Sequence, residues 1–245
     1  MRTFYAPKEA FSEGTVIITG DEYRHATRSC RIRVGETIGV TDGCGMRVEA
    51  VIETVDAGTV TAGIVNDVSG VGEPAFEITI AMAVIKPSRF ERAIEKCTEL
   101  GARHFLPIVT QRCETAPERL NYERMGRIAL EAAKQSRRSW IPQIEQPVPV
   151  MDIFEHTGGD LLVALQSAEN EMDAALKKLE TSGGVTIVIG PEGDFTDEEW
   201  DILLAGGAVP VSLGGLTLRT ETAAMAATVL CAACGRKTWK DRLFG

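Results

Sequence analysis

The pattern of hydrophobic and polar positions changes character near residue 70. Before that point it is the pattern of short strands, over residues 14–19, 36–41, 46–55 and 58–68. Turn formers separate the strands, notably Asp42-Gly-Cys-Gly45 and Asp56-Ala-Gly58. One short helix, over residues 21–29, interrupts them, and the whole predicts a small β-barrel. Ser69-Gly-Val-Gly-Glu-Pro74 then reads as a linker, because its glycines and proline can continue neither kind of element.

Beyond the linker the apolar period alternates between that of buried strands and that of helices. Residues 76–84 predict a buried strand. Ser88-Arg-Phe-Glu91 has the spacing of a capping box for a helix whose apolar stripe is Phe90, Ala93, Ile94, Cys97 and Leu100, with a stop at Gly101. A strand over 104–109 follows, then a long helix over 115–138 with Leu120, Ile128 and Ala132 turned inward. Strands over 160–165, 185–189 and 209–213 alternate with helices over 169–179, after a cap at Thr196-Asp-Glu-Glu199, and over 221–234. Regular alternation of strand and helix predicts a parallel sheet with helices on both faces. The expected division is therefore residues 1–70 and residues 74–245.

Composition narrows the picture only a little. A chain of 245 residues with 44% hydrophobic and 25% charged positions is ordinary for a globular protein of two domains. The N-terminus lacks the apolar stretch of a signal peptide, and the longest apolar run, 223–234, is too short to span a bilayer, which takes about 20 residues. A cytoplasmic protein is expected, with six cysteines kept reduced. The net charge of −9 argues against a protein that coats nucleic acid indiscriminately. It leaves room for local basic faces, and three succeed one another: Arg24, Arg28, Arg31 and Arg33; Lys86, Arg89, Arg92 and Lys96; Lys134, Arg137 and Arg138.

Candidate chemistry concentrates in two loops that each follow a buried-type strand. Leu213-Gly-Gly-Leu-Thr-Leu-Arg-Thr-Glu-Thr222 joins a strand to an alanine-rich helix, and Thr220 or Thr222 offers that helix an N-cap. Arg219 brings a permanent planar cation suited to a carboxylate, a phosphate or a developing anion. Alone, the segment reads equally well as an ordinary strand-to-helix loop. Gly190-Pro-Glu-Gly193 is the second loop, and two such loops imply a crevice beyond the carboxyl ends of the strands. Other signals are weaker. Cys231-Ala-Ala-Cys234 has a redox or metal-ligand spacing but lies in a predicted helix without a second pair, so core packing is the better reading, as it is for His104 and His156. Gly190-Pro-Glu-Gly193 lacks the lysine and hydroxyl of a phosphate loop, and no Gly-x-Gly-x-x-Gly follows a strand.

Together, Gly190-Pro-Glu-Gly193 and the stretch from Leu213 to Ala223 resemble the SPOUT class of trefoil-knotted, S-adenosylmethionine-dependent RNA methyltransferases. More closely, the chain resembles the RsmE family, which methylates uracil N3 in 16S ribosomal RNA of the small subunit. Arg2, His25, Arg31, Gly35 and Asp42-Gly43 fit the family pattern, as do Lys86, Arg89, Glu91, Lys96, Glu99-Leu-Gly101, Pro107, Thr110, Arg112, Gln135, Ser136 and Arg138. Three positions depart from it. Lys134 and Arg137 stand where a glutamate and a glycine are usual, and Asp194 stands where a second glycine commonly follows Gly193.

The resemblance implies an α/β protein: an RNA-binding, PUA-like β-barrel, then a parallel-sheet domain closed by a deep trefoil knot. It implies a homodimer acting on the assembled small subunit, without metal or membrane. It places the cofactor against Leu165, Gln166, Gly190, Pro191, Glu192, Gly193, Leu213, Gly214, Leu216 and Leu218, with Glu192 the nearest group to balance a sulfonium. RNA contacts are implied for Arg2, His25, Arg31, Lys86, Arg89, Arg112, Gln135 and Arg138. Uracil N3 carries a proton lost only well above neutral pH, so its methylation needs a base or stabilisation of the forming anion. Arg219 suits the second task; Glu221 either accepts the proton or caps the last helix, and the base stays open. Two other readings remain: methyl transfer to a ribose 2′-hydroxyl or another base atom, and a non-catalytic RNA-binding assembly factor.

Overall fold

Alternation along the first strands resolves into two faces: Val16 and Ile18 are fully buried, whereas Ile17 between them faces out at 41% exposure. A computed structural model of the chain describes residues 1–179 and 184–234. It divides into two units, Met1–Glu73 with Leu130–Ile141, and Pro74–Ala129 with the described residues from Pro142 onward. Residues 235–245 of the expected second domain lie outside the described residues.

In the first unit β1 (Thr3–Tyr5), β2 (Phe11–Ser12), β3 (Thr15–Thr19), β4 (Thr37–Thr41), β5 (Arg47–Asp56) and β6 (Thr59–Asp67) form one sheet, in the order β1-β4-β5-β6-β3-β2. Only β1 and β4 run parallel. Register shifts at Glu49/Ala50 and Ile52/Thr54 add twist and bend β5. The core beneath holds Phe4, Val16, Ile18, Ile38, Val40, Ile52 and Val60. Helix α1 (Gly20–Arg24), prolonged by one wide turn over His25–Ser29, supplies the predicted interruption. In the Asp42-Gly-Cys-Gly45 turn, Asp42 Oδ1 accepts the N–H groups of Cys44 and Met46 at 2.8 and 2.9 Å. Its glycines have φ of +70° and +115°, and a Cβ on them would meet Ile141 at 2.3 Å and Trp140 at 2.5 Å. Both conformation and space therefore require glycine there.

The second unit continues with β7 (Ile78–Ala83), α2 (Pro87–Leu100), β8 (His104–Val109), α3 (Tyr122–Gln135), β9 (Gln143–Ile144), β10 (Val148–Pro149), α4 (Ile153–His156), β11 (Asp160–Ala164), α5 (Met172–Leu176), β12 (Val185–Ile189), α6 (Asp197–Ala205), β13 (Val209–Val211) and α7 (Thr220–Ala233). The end of α3 and the turn after it belong with the first unit. The sheet runs β10-β8-β7-β12-β11-β13, with β9 also on β8, and every pairing is parallel. All five residues of β12 are buried, as a central parallel strand demands. Thr196 and Glu199 form the expected capping box of α6.

Four helix starts differ from the sequence reading, and one of these helices, α5, expected over 169–179, spans only Met172–Leu176. Ser88 does not cap α2: Pro87 takes the first helical position, which suits its missing N–H and fixed φ, and Lys86 becomes the N-cap without a side-chain bond. Glu91 pairs instead with Arg124 Nε at 2.9 Å. The helix expected from residue 115 begins at Tyr122, because Pro117 sits in a separate 3-10 turn and the Asn121 side chain accepts the Arg124 N–H at 2.9 Å. Leu120 is buried ahead of that helix rather than on it. Neither Thr220 nor Thr222 caps α7; Arg219 is its N-cap residue, and the Thr220 hydroxyl is used elsewhere.

Two of the departures from the family pattern carry left-handed backbone. Arg137 has φ of +59° and Asp194 of +63°. A side chain in that region costs about 1–2 kcal/mol, less for aspartate than for arginine, so the chain keeps a glycine conformation without the glycine. Arg137→Gly is therefore expected to stabilise the protein by about 0.5–1 kcal/mol, after the extra unfolded-state freedom of glycine is subtracted. A urea melt checks this, and an unchanged or lower midpoint would refute it.

Candidate active site

The carboxyl ends of β11, β12 and β13 lie side by side, and the three loops that leave them enclose a cavity of about 270 Å³. That is just under the ~300–1,000 Å³ typical of small-molecule sites. The β11 loop contributes Leu165 and Gln166, the β12 loop Gly190, Pro191, Glu192 and Asp194, and the β13 loop Leu213, Gly214, Leu216, Thr217 and Leu218. Thr220 and Ala223 close it from the first turn of α7.

Short hydrogen bonds fix these loops to one another. Thr217 Oγ1 donates to Gln166 Oε1 at 2.8 Å, joining the β13 and β11 loops. Thr220 Oγ1 donates to the Gly190 carbonyl at 3.0 Å, joining α7 to the β12 loop. The Gly214 N–H donates to Ser212 Oγ at 3.2 Å, in a turn whose φ of +121° requires glycine. On the far side Arg112 donates to the carbonyls of Gly193 and Phe195 at 2.8 and 3.1 Å. Glu199 accepts the Gln111 N–H at 2.7 Å and so pins the same region to the β8 loop.

Of the residues expected to hold a cofactor, Leu165, Gln166, Gly190, Pro191, Glu192, Leu213, Gly214, Leu216 and Leu218 all line this one cavity. Gly193 does not; it lies just beyond, where a Cβ would be 3.4 Å from the Arg112 side chain. The sequence reading missed Ala164, Ile189, Asp194, Thr220 and Ala223. Thr220 was legible only as a helix cap, Asp194 only as a departure from the family pattern, Ala223 only as the end of the resembling stretch, and Ala164 and Ile189 only as strand residues. Arg219 is exposed at the N-cap of α7 and Glu221 is 8% exposed in its first turn. Glu221 does not cap the helix: one carboxylate oxygen is 3.8 Å from Arg89 Nε, and the other is buried without a hydrogen bond. Arg89 also pairs with Glu192.

The residues expected to touch RNA fall into separate groups. In the first unit Arg2 donates to the Cys30 carbonyl and His25 Nε2 lies 3.4 Å from Cys30 Sγ, which places both beside Arg31. Gln135 is exposed at the end of α3. Arg138 differs: it is 6% exposed and held by Glu73, so its guanidinium serves the interior rather than a phosphate. In the second unit Lys86 is exposed beside Arg89, while Arg112 holds the β12 loop as described.

Cys231 is fully buried and burial pushes its thiol up to about 12, with Cys234 adding to the shift, which keeps it protonated and unreactive at neutral pH. His104 is half-buried, 3.5 Å from Glu77, but His156 is exposed at the end of α4 and not part of the core. Among the described residues no cluster of three or more histidine, cysteine, aspartate or glutamate side chains could hold a metal ion. None of the described helices is long and apolar enough to cross a membrane.

A parallel sheet with looped, glycine-bearing strand ends and a small antiparallel-rich unit in one chain define a class, and the sequence matches it. Residues 72–232 match the RNA methyltransferase domain, and residues 18–65 the RNA methyltransferase PUA domain. The chain belongs to the ribosomal RNA small subunit methyltransferase E family. It is 34% identical to that protein from Synechocystis over 91% of this chain and 74% of the relative, and 33% identical to that of Mycobacterium bovis over 91% and 88%. The crystal structure of the Neisseria gonorrhoeae protein, bound to S-adenosyl methionine, superposes with a TM-score of 0.81 at 25% identity, covering 93% of this chain and 95% of that one.

Proposed function

We propose that this chain transfers a methyl group from S-adenosylmethionine to N3 of one uridine in 16S ribosomal RNA, acting on the assembled small subunit as a homodimer in the cytoplasm. The reading is carried by the cavity at the ends of β11, β12 and β13, which collects nine of the ten residues the family resemblance assigns to the cofactor. In the same reading residues 1–70 hold RNA, residues 74–245 are the catalytic domain, and the strands and helix from β12 to α7 close a deep trefoil knot.

The cavity suits an adenosyl group on its own chemistry. Leu165, Leu213, Leu216 and Leu218 offer apolar walls for a flat ring, and Leu216 is 79% exposed, a cost that a bound ring would relieve. Gly190 and Gly214 line the cavity with backbone alone: a Cβ on Gly190 would meet the Phe195 ring at 3.0 Å, and the φ of +121° at Gly214 favours glycine. Bound there, S-adenosylmethionine supplies an electrophilic methyl on a sulfonium. Arg219, at the rim, stabilises the negative charge that forms on the flanking uracil oxygens as N3 loses its proton. Glu221 lines none of the cavity and its unpartnered oxygen is closed off from solvent, so the base stays open.

Labelled S-adenosylmethionine and unmodified small subunits test the reading directly. Label is expected in 3-methyluridine after nuclease digestion, and calorimetry is expected to give a heat near one cofactor per chain. Recovery of label in a 2′-O-methyl nucleoside would move the target atom, and absence of both transfer and heat would favour an assembly factor.

A further inference from the structure

Arg89 is placed among the RNA contacts by resemblance, yet its surroundings give it another partner set. Its guanidinium pairs with Glu192 Oε1 through Nη1, and its Nε lies 3.8 Å from Glu221 Oε1. Those carboxylates sit on different elements, the β12 loop and the first turn of α7, and both elements wall the cavity. Helix α2, which carries Arg89, lines no part of it. On the cavity side the Thr220 hydroxyl already ties α7 to Gly190. Arg89 makes the equivalent tie from behind, beside a hollow of about 20 Å³ that shares Pro191 and Glu192 with the main cavity.

We propose that Arg89 is a positioning residue for the cofactor cavity: through Glu192 and Glu221 it clamps the 190–193 loop against the start of α7. The inference rests on the cavity taking S-adenosylmethionine. A planar guanidinium presents Nε and Nη donors in fixed directions, so one side chain can engage two carboxylates and hold their spacing. Without it, two like charges face each other across the joint, and Glu221, with its second oxygen unpartnered, has little water to screen it. The joint between loop and helix then opens, and the cavity loses its shape.

The test uses the full chain, with S-adenosylmethionine binding by calorimetry and binding of unmodified small subunits by filter retention. Arg89→Ala is expected to weaken cofactor binding by roughly ten- to a hundredfold, the scale of an ångström-sized misplacement, and to raise the cofactor KM more than it lowers kcat. Affinity for the small subunit should stay unchanged. Arg89→Lys should recover only part of the loss, because an ammonium keeps the charge without the fork. If Arg89→Ala does not fold, Arg89→Gln carries the test: it keeps a polar side chain of similar reach but removes the charge and the fork, and a cofactor defect larger than that of Arg89→Lys, with intact subunit affinity, is expected. Equal cofactor heat from Arg89→Ala and the unaltered chain, with weakened subunit binding, would overturn the inference and make Arg89 an RNA contact. No heat from the unaltered chain would overturn the reading of the cavity itself, and this inference with it.

Discussion

Arg219→Ala is expected to lower single-turnover methyl transfer by about 10²–10³-fold, the usual loss when one preorganised donor to a developing anion is removed. The fold places the residue for this purpose. Arg219 is the N-cap of α7, and the next residue, Thr220, is bonded to Gly190 and faces the cavity. Its backbone is thus anchored at the rim while its side chain is exposed, without an ion pair to hold it back among those described. That arrangement leaves the guanidinium available to an incoming base. Cofactor heat should remain within about threefold of the unaltered chain, since the side chain lines none of the cavity. A parallel fall in cofactor affinity and transfer would mean that Arg219 shapes the pocket rather than the reaction. Unchanged transfer would remove it from the chemistry altogether.

The elements were legible where local signals agree with tertiary demand. Strands expected over 104–109 and 185–189 appear as His104–Val109 and Val185–Ile189, because buried parallel strands are continuous apolar runs with sharp ends. The capping box at Thr196 and Glu199 was equally plain. Helix starts failed where two local signals compete. Ser88 and Pro87 both mark a beginning, and proline wins because its geometry leaves it no other comfortable place. Thr220 looked like a cap, but its hydroxyl satisfies a carbonyl thirty residues away in sequence, which no local pattern encodes. The same distance hid the clamp made by Arg89, whose partners lie at 192 and 221. Charge runs mark which side chains are cationic, not which of them a remote carboxylate has already engaged. Arg138 shows this most clearly, since its sequence neighbours are those of a basic face and its structural neighbour is Glu73.

That pairing carries the largest expected loss of stability. Glu73 Oε2 accepts from Arg138 Nη2 at 2.7 Å and from Nε at 3.1 Å, and Oε1 accepts the Ser139 N–H at 2.8 Å. The two side chains are 6% and 11% exposed, so neither charge is screened by bulk water. A second buried guanidinium, Arg47, donates to the Val68 and Val71 carbonyls at 3.3 and 3.2 Å and feels Glu73 only through its charge. Burial lowers Arg47 below its ordinary range, Glu73 and Glu49 push it back up, and Arg137 lowers it again. Glu73→Ala would therefore strand one buried cation, for a loss of about 3–5 kcal/mol, the range measured when one member of a buried pair is removed. Glu73→Gln should cost less, because an amide oxygen still accepts from Ser139. Adding Arg138→Met to Glu73→Ala should restore part of the loss, since the uncompensated charge is then gone. Equilibrium denaturation of the full chain in urea measures all three. A loss for Glu73→Ala below about 1 kcal/mol would place the pair among solvated surface contacts, and would mean that the basic run at 134–138 is held in place by packing rather than by charge.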